Sequence, residues 1–313
     1  MTAESFKELK SVLQPLTFDP ALDKPVGSIP EAQSYLALYQ FPVMEGVQHF
    51  LGKFQSLGFD LATNYFLPPS PSGTVFVLHG YFDHQGLFTH LIKFLLEKNL
   101  AVVGFDLPGH GLSSGEQVSI ESFHHYAHCF SELLVKANKL QQPFHAVGQS
   151  TGGAVLMNHL LLRQFLYQPV ELEKVVLLAP LVRPSQWGKV RISHNLTGKF
   201  RKRVKRKFRV NSSDQAFLDF VESGDPLQSR ELSVAWVSAM RQWVHDFSIL
   251  PQCMHPIRVL QGDLDNTVDW QYNLRVIGKK FPKADIVIKH GVGHHMANES
   301  QELRDDIFSD MGF

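Results

Sequence analysis

The stretch "HAVGQSTGGAVLMNHLL", residues 145–161, joins an apolar run to a helical pattern through a serine placed between two glycines. A strand, a tight turn and a helix are the setting in which Gly-x-Ser-x-Gly forms a nucleophile elbow. Such a turn lifts the Ser150 hydroxyl above the carboxyl edge of a sheet, at a helix N-terminus that stabilises negative charge. We therefore predict that Ser150 is a nucleophile; the alternative is a serine in a glycine-rich turn without chemistry.

Apolar runs of strand length alternate with helical patterns on both sides of this turn. Continuous apolar strands separated by helices indicate an α/β fold with a mostly parallel central sheet and helices on both faces. The predicted strands are TVFVLHG, AVVGFD, FHAVG, KVVLLAP, IRVLQG and ADIVIKHG, preceded by an antiparallel edge strand in FDLATNYFLPP.

The alternation fails in two places, which divide the chain. Residues 184–251 carry no strand pattern and are predicted to be a helical cap inserted after the sixth strand. Residues 1–55 are predicted to be an N-terminal helical extension that packs on the core or over its mouth. The core proper is then residues 56–183 together with residues 252–313.

Composition limits the classes of partner and compartment. The chain has 313 residues, a formal net charge of +0 and 44% hydrophobic residues, which suits a large core and gives no overall attraction for a charged partner. Two cysteines, no signal-peptide pattern and no apolar run of spanning length favour a cytoplasmic protein. The sequence does not indicate an oligomeric state.

A nucleophilic serine needs a base and an acid that orients the base, and in this fold they follow it as Asp or Glu, then His. Asp263 and Asp265 follow the strand IRVLQG, and His294 and His295 follow ADIVIKHG. We favour Asp265 because it lies further out on its loop, and His294 because it follows a Gly-x-Gly turn. Asp263 and His295 remain the alternatives.

The oxyanion of the reaction needs two backbone N–H donors. Thr151, directly after the nucleophile, is one candidate. Tyr81, in the loop after TVFVLHG, is the other, with Phe82 as its alternative.

These motifs together resemble the α/β-hydrolase superfamily, and more closely its monoacylglycerol lipase and lysophospholipase branch, which includes serine aminopeptidase S33-like members. The similarity covers Gly58 to the C-terminus and rests on HGYFDHQGLF, FDLPGHGLSSG, GQSTGG, LQGDLDNTVD, GVGHHMANE and the DPL of Asp225. It implies an α/β-hydrolase fold, an acid at Asp265 and a base at His294. Gln149 departs from the branch's usual His, and Thr151 departs from its usual Met.

The cap contains a basic segment, "NLTGKFRKRVKRKFRV", residues 195–210. Apolar residues recur every four positions, which predicts an amphipathic helix whose other faces are basic. Such a helix either faces an anionic membrane or a phosphate, or it is a solvated cap helix; nucleic acid is not the expected partner. The candidate substrate- or membrane-facing residues are Lys199, Arg201, Lys202, Arg203, Lys205, Arg206 and Lys207.

The predicted function is a serine hydrolase that cleaves acyl esters through an acyl-enzyme, most specifically a lysophospholipase or monoacylglycerol lipase. No cofactor and no metal are expected. The substrate is expected to be a small lipid ester, and peripheral contact with the inner face of a membrane is anticipated. The alternatives are a general carboxylesterase or thioesterase, or a catalytically silent module that docks on membranes.

Overall fold

The computed structural model describes residues 2–197 and 200–313. The strands in these ranges are β1 (Gln48–Ser56), β2 (Phe59–Leu67), β3 (Thr74–Leu78), β4 (Ala101–Phe105), β5 (Phe144–Gln149), β6 (Leu172–Leu178), β7 (Arg203–Lys205), β8 (Glu231–Ser233), β9 (Ile257–Gly262) and β10 (Ala284–Lys289). The α-helices are α1 (Ala3–Val12), α2 (Gln33–Leu38), α3 (Thr89–Glu97), α4 (Phe123–Lys136), α5 (Thr151–Phe165), α6 (Trp187–Thr197), α7 (Gln215–Asp219), α8 (Val234–Ile249), α9 (Trp270–Lys280) and α10 (Gln301–Ser309).

An eight-stranded sheet in the order β1-β2-β4-β3-β5-β6-β9-β10 forms the centre of the molecule. β2 pairs antiparallel with both of its neighbours, and the remaining pairs of the sheet run parallel. The predicted α/β fold with a mostly parallel sheet is therefore confirmed. Because these parallel strands end at one edge, the loops that follow β3, β5, β9 and β10 meet there.

Alternate side chains of the central strands supply two separate cores, since successive residues of a strand point to opposite faces. In β3, Phe76 and Leu78 join a core with α4, α5 and α8. Val75 and Val77 join the second core with α1, α3 and α10. Helices thus cover both faces of the sheet. Within the described ranges, none of them is long and apolar enough to cross a bilayer.

The outermost strand was not expected from the sequence. Residues 48–55 were predicted to lie in the helical extension, but they form most of β1, which pairs with β2 along its whole length. The predicted edge strand is therefore one strand inside the edge. The N-terminal chain crosses β1 at Gly52, where an added Cβ would lie 2.6 Å from the carbonyl oxygen of Gln14. This crossing requires a glycine, which interrupts the apolar pattern of the strand.

The cap lies between β6 and β9 and contains α6, β7, α7, β8 and α8. The prediction that the basic segment is one helix is wrong, because α6 ends at Thr197 and β7 pairs antiparallel with β8. A continuous helix would have placed Lys202 one turn from Arg206, and Arg203 one turn from Lys207. Like charges at that spacing destabilise a helix.

Candidate active site

Ser150 lies at the tip of a strained turn between β5 and α5. Its φ of 54° and ψ of −111° lie in a region that residues with a side chain rarely adopt. An added Cβ at Gly148 would lie 2.6 Å from the backbone of Gly152, and one at Gly152 would lie 2.2 Å from the Leu78 carbonyl oxygen. Both glycines are therefore required by close backbone approach, as the elbow prediction assumed.

The structure brings Ser150, His294 and Asp265 into one hydrogen-bonded line. His294 Nε2 lies 3.0 Å from Ser150 Oγ, and His294 Nδ1 lies 2.7 Å from Asp265 Oδ2. All three residues are buried. The geometry lets Nδ1–H donate to the carboxylate while Nε2 accepts the hydroxyl proton, which is the tautomer that a general base requires.

The surroundings of Asp265 separate it from the alternative acid. Asp265 Oδ1 accepts the backbone N–H groups of Thr267 and Val268 at 2.8 and 3.1 Å, and Oδ2 accepts from Gln261 Nε2 at 3.0 Å. Asp263 instead pairs with His290 at 2.8 Å on an exposed turn and has no contact with His294.

Burial and charge act in opposite directions on the acid and the base. Burial alone lowers the pKa of His294, but the charge of Asp265 and its hydrogen bond outweigh it, so the pKa lies above its ordinary value. Burial raises the pKa of the Asp265 carboxyl, but the charge and hydrogen bond of His294, with those of Gln261, outweigh it and bring the pKa below its ordinary value. The pair therefore favours a negative Asp265 beside a strongly basic imidazole.

The two predicted oxyanion donors border the same cavity as Ser150. Thr151 is the first residue of α5, so its N–H is one of the unpaired donors at that helix N-terminus. Tyr81 lies in the loop of residues 79–84 after β3, here the oxyanion loop. Its hydroxyl donates to the Val118 carbonyl at 2.8 Å, and its ring stacks on Trp236 of the cap at 3.7 Å between centroids. These contacts fix the backbone of Tyr81.

Two histidines brace the oxyanion loop. His79 Nε2 accepts the N–H of Leu107 at 2.9 Å, and burial lowers the pKa of His79 to about 3, which keeps the ring neutral. His84 Nε2 donates to Asp225 Oδ2 at 3.0 Å, and Tyr39 donates to Asp225 Oδ1 at 2.6 Å. This buried Tyr39–Asp225–His84 junction joins the N-terminal segment, the cap and the oxyanion loop. The sequence pointed to the DPL motif of Asp225 but gave no sign of Tyr39.

The loop of residues 290–300, here the base loop, is held by two residues that sequence reasoning did not identify as structural ties. Gln149 Oε1 accepts the N–H of Ala297 at 2.9 Å, which ties the base loop to the elbow. Glu299, which is fully buried, accepts from the Gly293 N–H and from the backbone N–H of Ser213 in the cap, both at 2.6 Å. An acidic residue five positions after the base was the available signal.

A cavity of about 460 Å³ opens onto Ser150 between the core and the cap. This volume lies within the range of small-molecule sites. Much of its wall is apolar and comes from both parts of the molecule: Leu181, Val190, Phe208, Leu218, Val221, Trp236, Val237, Met240 and Val268. Ser150 therefore faces a cavity whose wall is largely apolar.

The structure divides the basic cap candidates into groups. Lys205, Arg206 and Lys207 line the cavity. Arg203 instead pairs with Glu116 of the core at 3.0 Å. Arg201 and Lys202 are exposed and do not line it, and Lys199 lies outside the described residues.

Comparisons with known proteins agree with the fold. The family model Hydrolase_4, described as serine aminopeptidase, S33, matches residues 69–301. Human monoglyceride lipase is 26% identical over 259 residues, which are 77% of this chain and 82% of that protein. The structure of a monoglyceride lipase variant from Saccharomyces cerevisiae superposes with a TM-score of 0.71 at 18% identity, covering 87% of this chain and 94% of that one. The monoacylglycerol lipase of Paleococcus ferrophilus gives 0.67 at 19% identity, covering 80% and 98%.

Proposed function

Because the chain belongs to the Hydrolase_4 family of serine aminopeptidase S33-type α/β-hydrolases, we propose that it is a carboxylic ester hydrolase with Ser150 as nucleophile. The observation that carries the proposal is the line of hydrogen bonds from Ser150 through His294 to Asp265, at 3.0 and 2.7 Å. A serine hydroxyl is a weak nucleophile until an adjacent base accepts its proton.

The reaction then follows from the positions of the atoms. Ser150 Oγ bonds to the ester carbonyl carbon as its proton passes to His294 Nε2, and the N–H groups of Thr151 and Tyr81 stabilise the oxyanion. The bond to the alcohol oxygen breaks, and that oxygen takes the proton from His294. Water then adds to the acyl-enzyme with His294 again as base, which releases the fatty acid and restores Ser150.

The proposed substrates are lipids with one acyl chain, of the kind cleaved by a monoacylglycerol lipase or a lysophospholipase. The apolar cavity beside Ser150 and the similarity to monoglyceride lipases support this class. The cavity does not favour a peptide with a free amino terminus. Its wall contains four cations, Lys205, Arg206, Lys207 and Arg209. Among the described residues it contains only two carboxylates, Asp83 and Glu222. Such a wall repels a protonated amine.

The proposal extends to the lipid surface on which such substrates reside. Leu196 and Phe200 of the cap are 70% and 87% exposed, and the cations Arg201 and Lys202 directly follow Phe200. Apolar side chains next to cations suit the interface of an anionic membrane. Flotation of the protein with phosphatidylglycerol vesicles, but not with phosphatidylcholine vesicles, is the expected result.

The test of the enzymatic proposal combines labelling with rates. A fluorophosphonate probe is expected to label the wild-type protein, whereas Ser150→Ala is expected to abolish labelling and ester hydrolysis. Initial rates are compared for monooleoylglycerol, lysophosphatidylcholine, oleoyl-CoA and p-nitrophenyl butyrate. Activity confined to the last two would replace the lipase assignment with a thioesterase or general carboxylesterase. Absence of any Ser150 adduct would favour a silent binding module.

A further inference from the structure

Arg206 lies where the basic segment crosses the cavity that contains Ser150. Its guanidinium stacks on Phe82 of the oxyanion loop at 3.9 Å from the ring centroid, and on Phe208 at 4.3 Å. Nη1 donates to Gln228 Oε1 at 2.5 Å and to the Ser229 carbonyl at 3.3 Å. These contacts hold the planar group in one orientation in the cavity wall.

The chain on either side of Arg206 is fixed to the core. Arg203 donates to Glu116 and to the Gln117 carbonyl, both at 3.0 Å. Arg209 donates to the Asn266 carbonyl at 2.8 Å, in the loop that carries the candidate acid. Arg206 is therefore positioned before any ligand arrives, which lowers the entropic cost of binding one.

The charge of Arg206 has no counter-ion in the part of the chain that the structure describes. Nη1 is engaged only by neutral oxygens, and Nε and Nη2 have no hydrogen-bond partner among the described residues. Burial lowers the pKa of Arg206 to about 10; Asp83 and Asp225 attract the guanidinium only at a distance, and Arg230 repels it. A partly buried charge is costly unless something pairs with it.

Asp83, the carboxylate of the cavity wall that attracts Arg206, already has other partners. Asp83 Oδ2 accepts the Gly80 N–H at 3.2 Å and lies 3.2 Å from His295 Nε2. The other carboxylate of the cavity wall, Glu222, is exposed at the surface. No carboxylate among the described residues therefore pairs with Arg206, which leaves its Nε–H and Nη2–H available to an anionic ligand in the cavity.

We propose that Arg206 is the centre of a subsite for a phosphate group on the alcohol side of the ester, so that acylated glycerophosphates are preferred over neutral acylglycerols. This inference rests on the proposed function, because it assigns the leaving group of the same reaction. The free Nε–H and Nη2–H form a fork that matches two phosphate oxygens. Phe82, on which the guanidinium stacks, directly follows the oxyanion donor Tyr81, so the subsite adjoins the reacting carbonyl.

The test measures kcat/KM for oleoyl-lysophosphatidylglycerol and for monooleoylglycerol, each at the same mole fraction in neutral detergent micelles. Arg206→Gln is expected to lower the preference for the phosphorylated substrate about 10- to 100-fold, mainly through KM, because it removes charged hydrogen bonds. Arg206→Lys keeps the charge but not the two parallel N–H donors. Its preference for the phosphorylated substrate is therefore expected to lie between those of the wild-type protein and Arg206→Gln. Arg191→Gln is the matched control, since Arg191 is an exposed residue of α6 outside the cavity wall.

Inhibition by soluble anions shows whether the site binds the phosphate of a glycerophosphate or a free anion. Glycerol 3-phosphate is expected to inhibit the wild-type protein competitively, more strongly than inorganic phosphate, and to inhibit Arg206→Gln several-fold less. Equal inhibition by inorganic phosphate would assign the site to a free anion and overturn the substrate proposal. Relief of oleate inhibition in Arg206→Gln, with an unchanged substrate preference, would assign it to the product carboxylate instead.

The remaining outcomes separate this inference from the proposed function. An equal loss of preference in Arg206→Gln and Arg191→Gln would attribute the effect to surface charge and overturn the subsite. An equal loss on both lipids in Arg206→Gln would also overturn it, while the ester hydrolase assignment would stand. If Arg206→Gln melts below the assay temperature, the ratio measured for Arg206→Lys decides. Failure of the wild-type protein to hydrolyse either lipid would refute the lipase assignment itself.

Discussion

Asp225 joins three parts of the molecule, and the Asp225→Asn variant measures how much this junction stabilises the fold. The carboxylate accepts hydrogen bonds from Tyr39, from His84 and from the Leu227 backbone, and the side chains of Asp225 and His84 are both 0% exposed. Asparagine has nearly the same volume, so the change removes the charge and one acceptor without creating a cavity. We expect a loss of about 2–4 kcal/mol in the free energy of unfolding.

The magnitude follows from the protonation equilibrium of the carboxyl. Burial raises the pKa of Asp225, but the charge and hydrogen bond of His84, with the hydroxyl of Tyr39, outweigh it and lower the pKa from 3.8 to about 2. That difference corresponds to about 2 kcal/mol in favour of the ionised, folded form at neutral pH. The hydrogen bonds of Tyr39 and His84 are part of that difference; in the variant, one of these donors faces the amide N–H₂, and this buried donor without an acceptor accounts for the upper part of the expected range.

The difference in stability between wild type and variant depends on pH through the protonation of both Asp225 and His84. Asp225 has a depressed pKa, so its contribution is present above pH 3.8 and is lost as the pH falls through about 2. Charge attraction and hydrogen bonding from Asp225 outweigh burial and raise the pKa of His84, so its contribution is complete below pH 6.5 and is lost as the pH rises through the folded value. The difference between wild type and variant is therefore expected to be largest between about pH 4 and pH 6.5.

The assay is urea unfolding followed by Trp fluorescence and by circular dichroism, with thermal melts at pH 5, 7 and 8. Asp246→Asn is the matched control in the cap, because its partner His124 is 40% exposed and such pairs contribute about 1 kcal/mol or less. An Asp225→Asn variant within 0.5 kcal/mol of wild type at every pH would refute the reasoning.

Three further predictions concern the chemistry. Asp265→Asn is expected to lower kcat about 10⁴-fold, because the amide favours the wrong tautomer of the imidazole. Asp263→Asn is expected to keep kcat within twofold of wild type, because Asp263 contacts only an exposed turn. Equal losses would contradict the assignment of the acid. Because Asp265 raises the pKa of His294 and only neutral His294 accepts a proton, kcat/KM is expected to fall with decreasing pH through a pKa above 6.5; an acid limb below 6.5 would argue against it. Gly152→Ala would place a Cβ 2.2 Å from the Leu78 carbonyl oxygen, so we expect loss of probe labelling, whereas Gly188→Ala, with nothing within 4 Å, is expected to label normally.

The site residues at strand ends could be predicted from the sequence, because the topology of the sheet determines where each strand ends. Parallel strands deliver their carboxyl ends to one edge, and a local pattern marks each end, as in the turns around Ser150 and His294. In the structure these two residues and Asp265 lie within hydrogen-bonding distance along one line. The sequence could not reveal that Tyr39 meets Asp225, because 186 positions separate them and neither belongs to a local pattern that requires the other.

The basic segment shows why a four-residue repeat of apolar side chains does not by itself indicate a helix. Leu196, Phe200, Val204 and Phe208 are four positions apart, a spacing that puts residues on one face of a helix but also on one face of a strand. In the structure, residues 203–205 form β7, which pairs with β8. Residues 48–56 were missed for a related reason, since a glycine required by a crossing chain breaks the alternation of β1.

The bonds that Glu299 makes have a mechanical consequence for the cap. Glu299 connects Gly293, one residue before His294, to Ser213 of the cap, and the carbonyl of Asn211 accepts the N–H of His295 at 2.7 Å. If the cap lifted at residues 211–213, it would pull the imidazole away from the serine. The base loop and residues 211–213 of the cap therefore hold one another in place, and the imidazole is positioned from the cap as well as from the core.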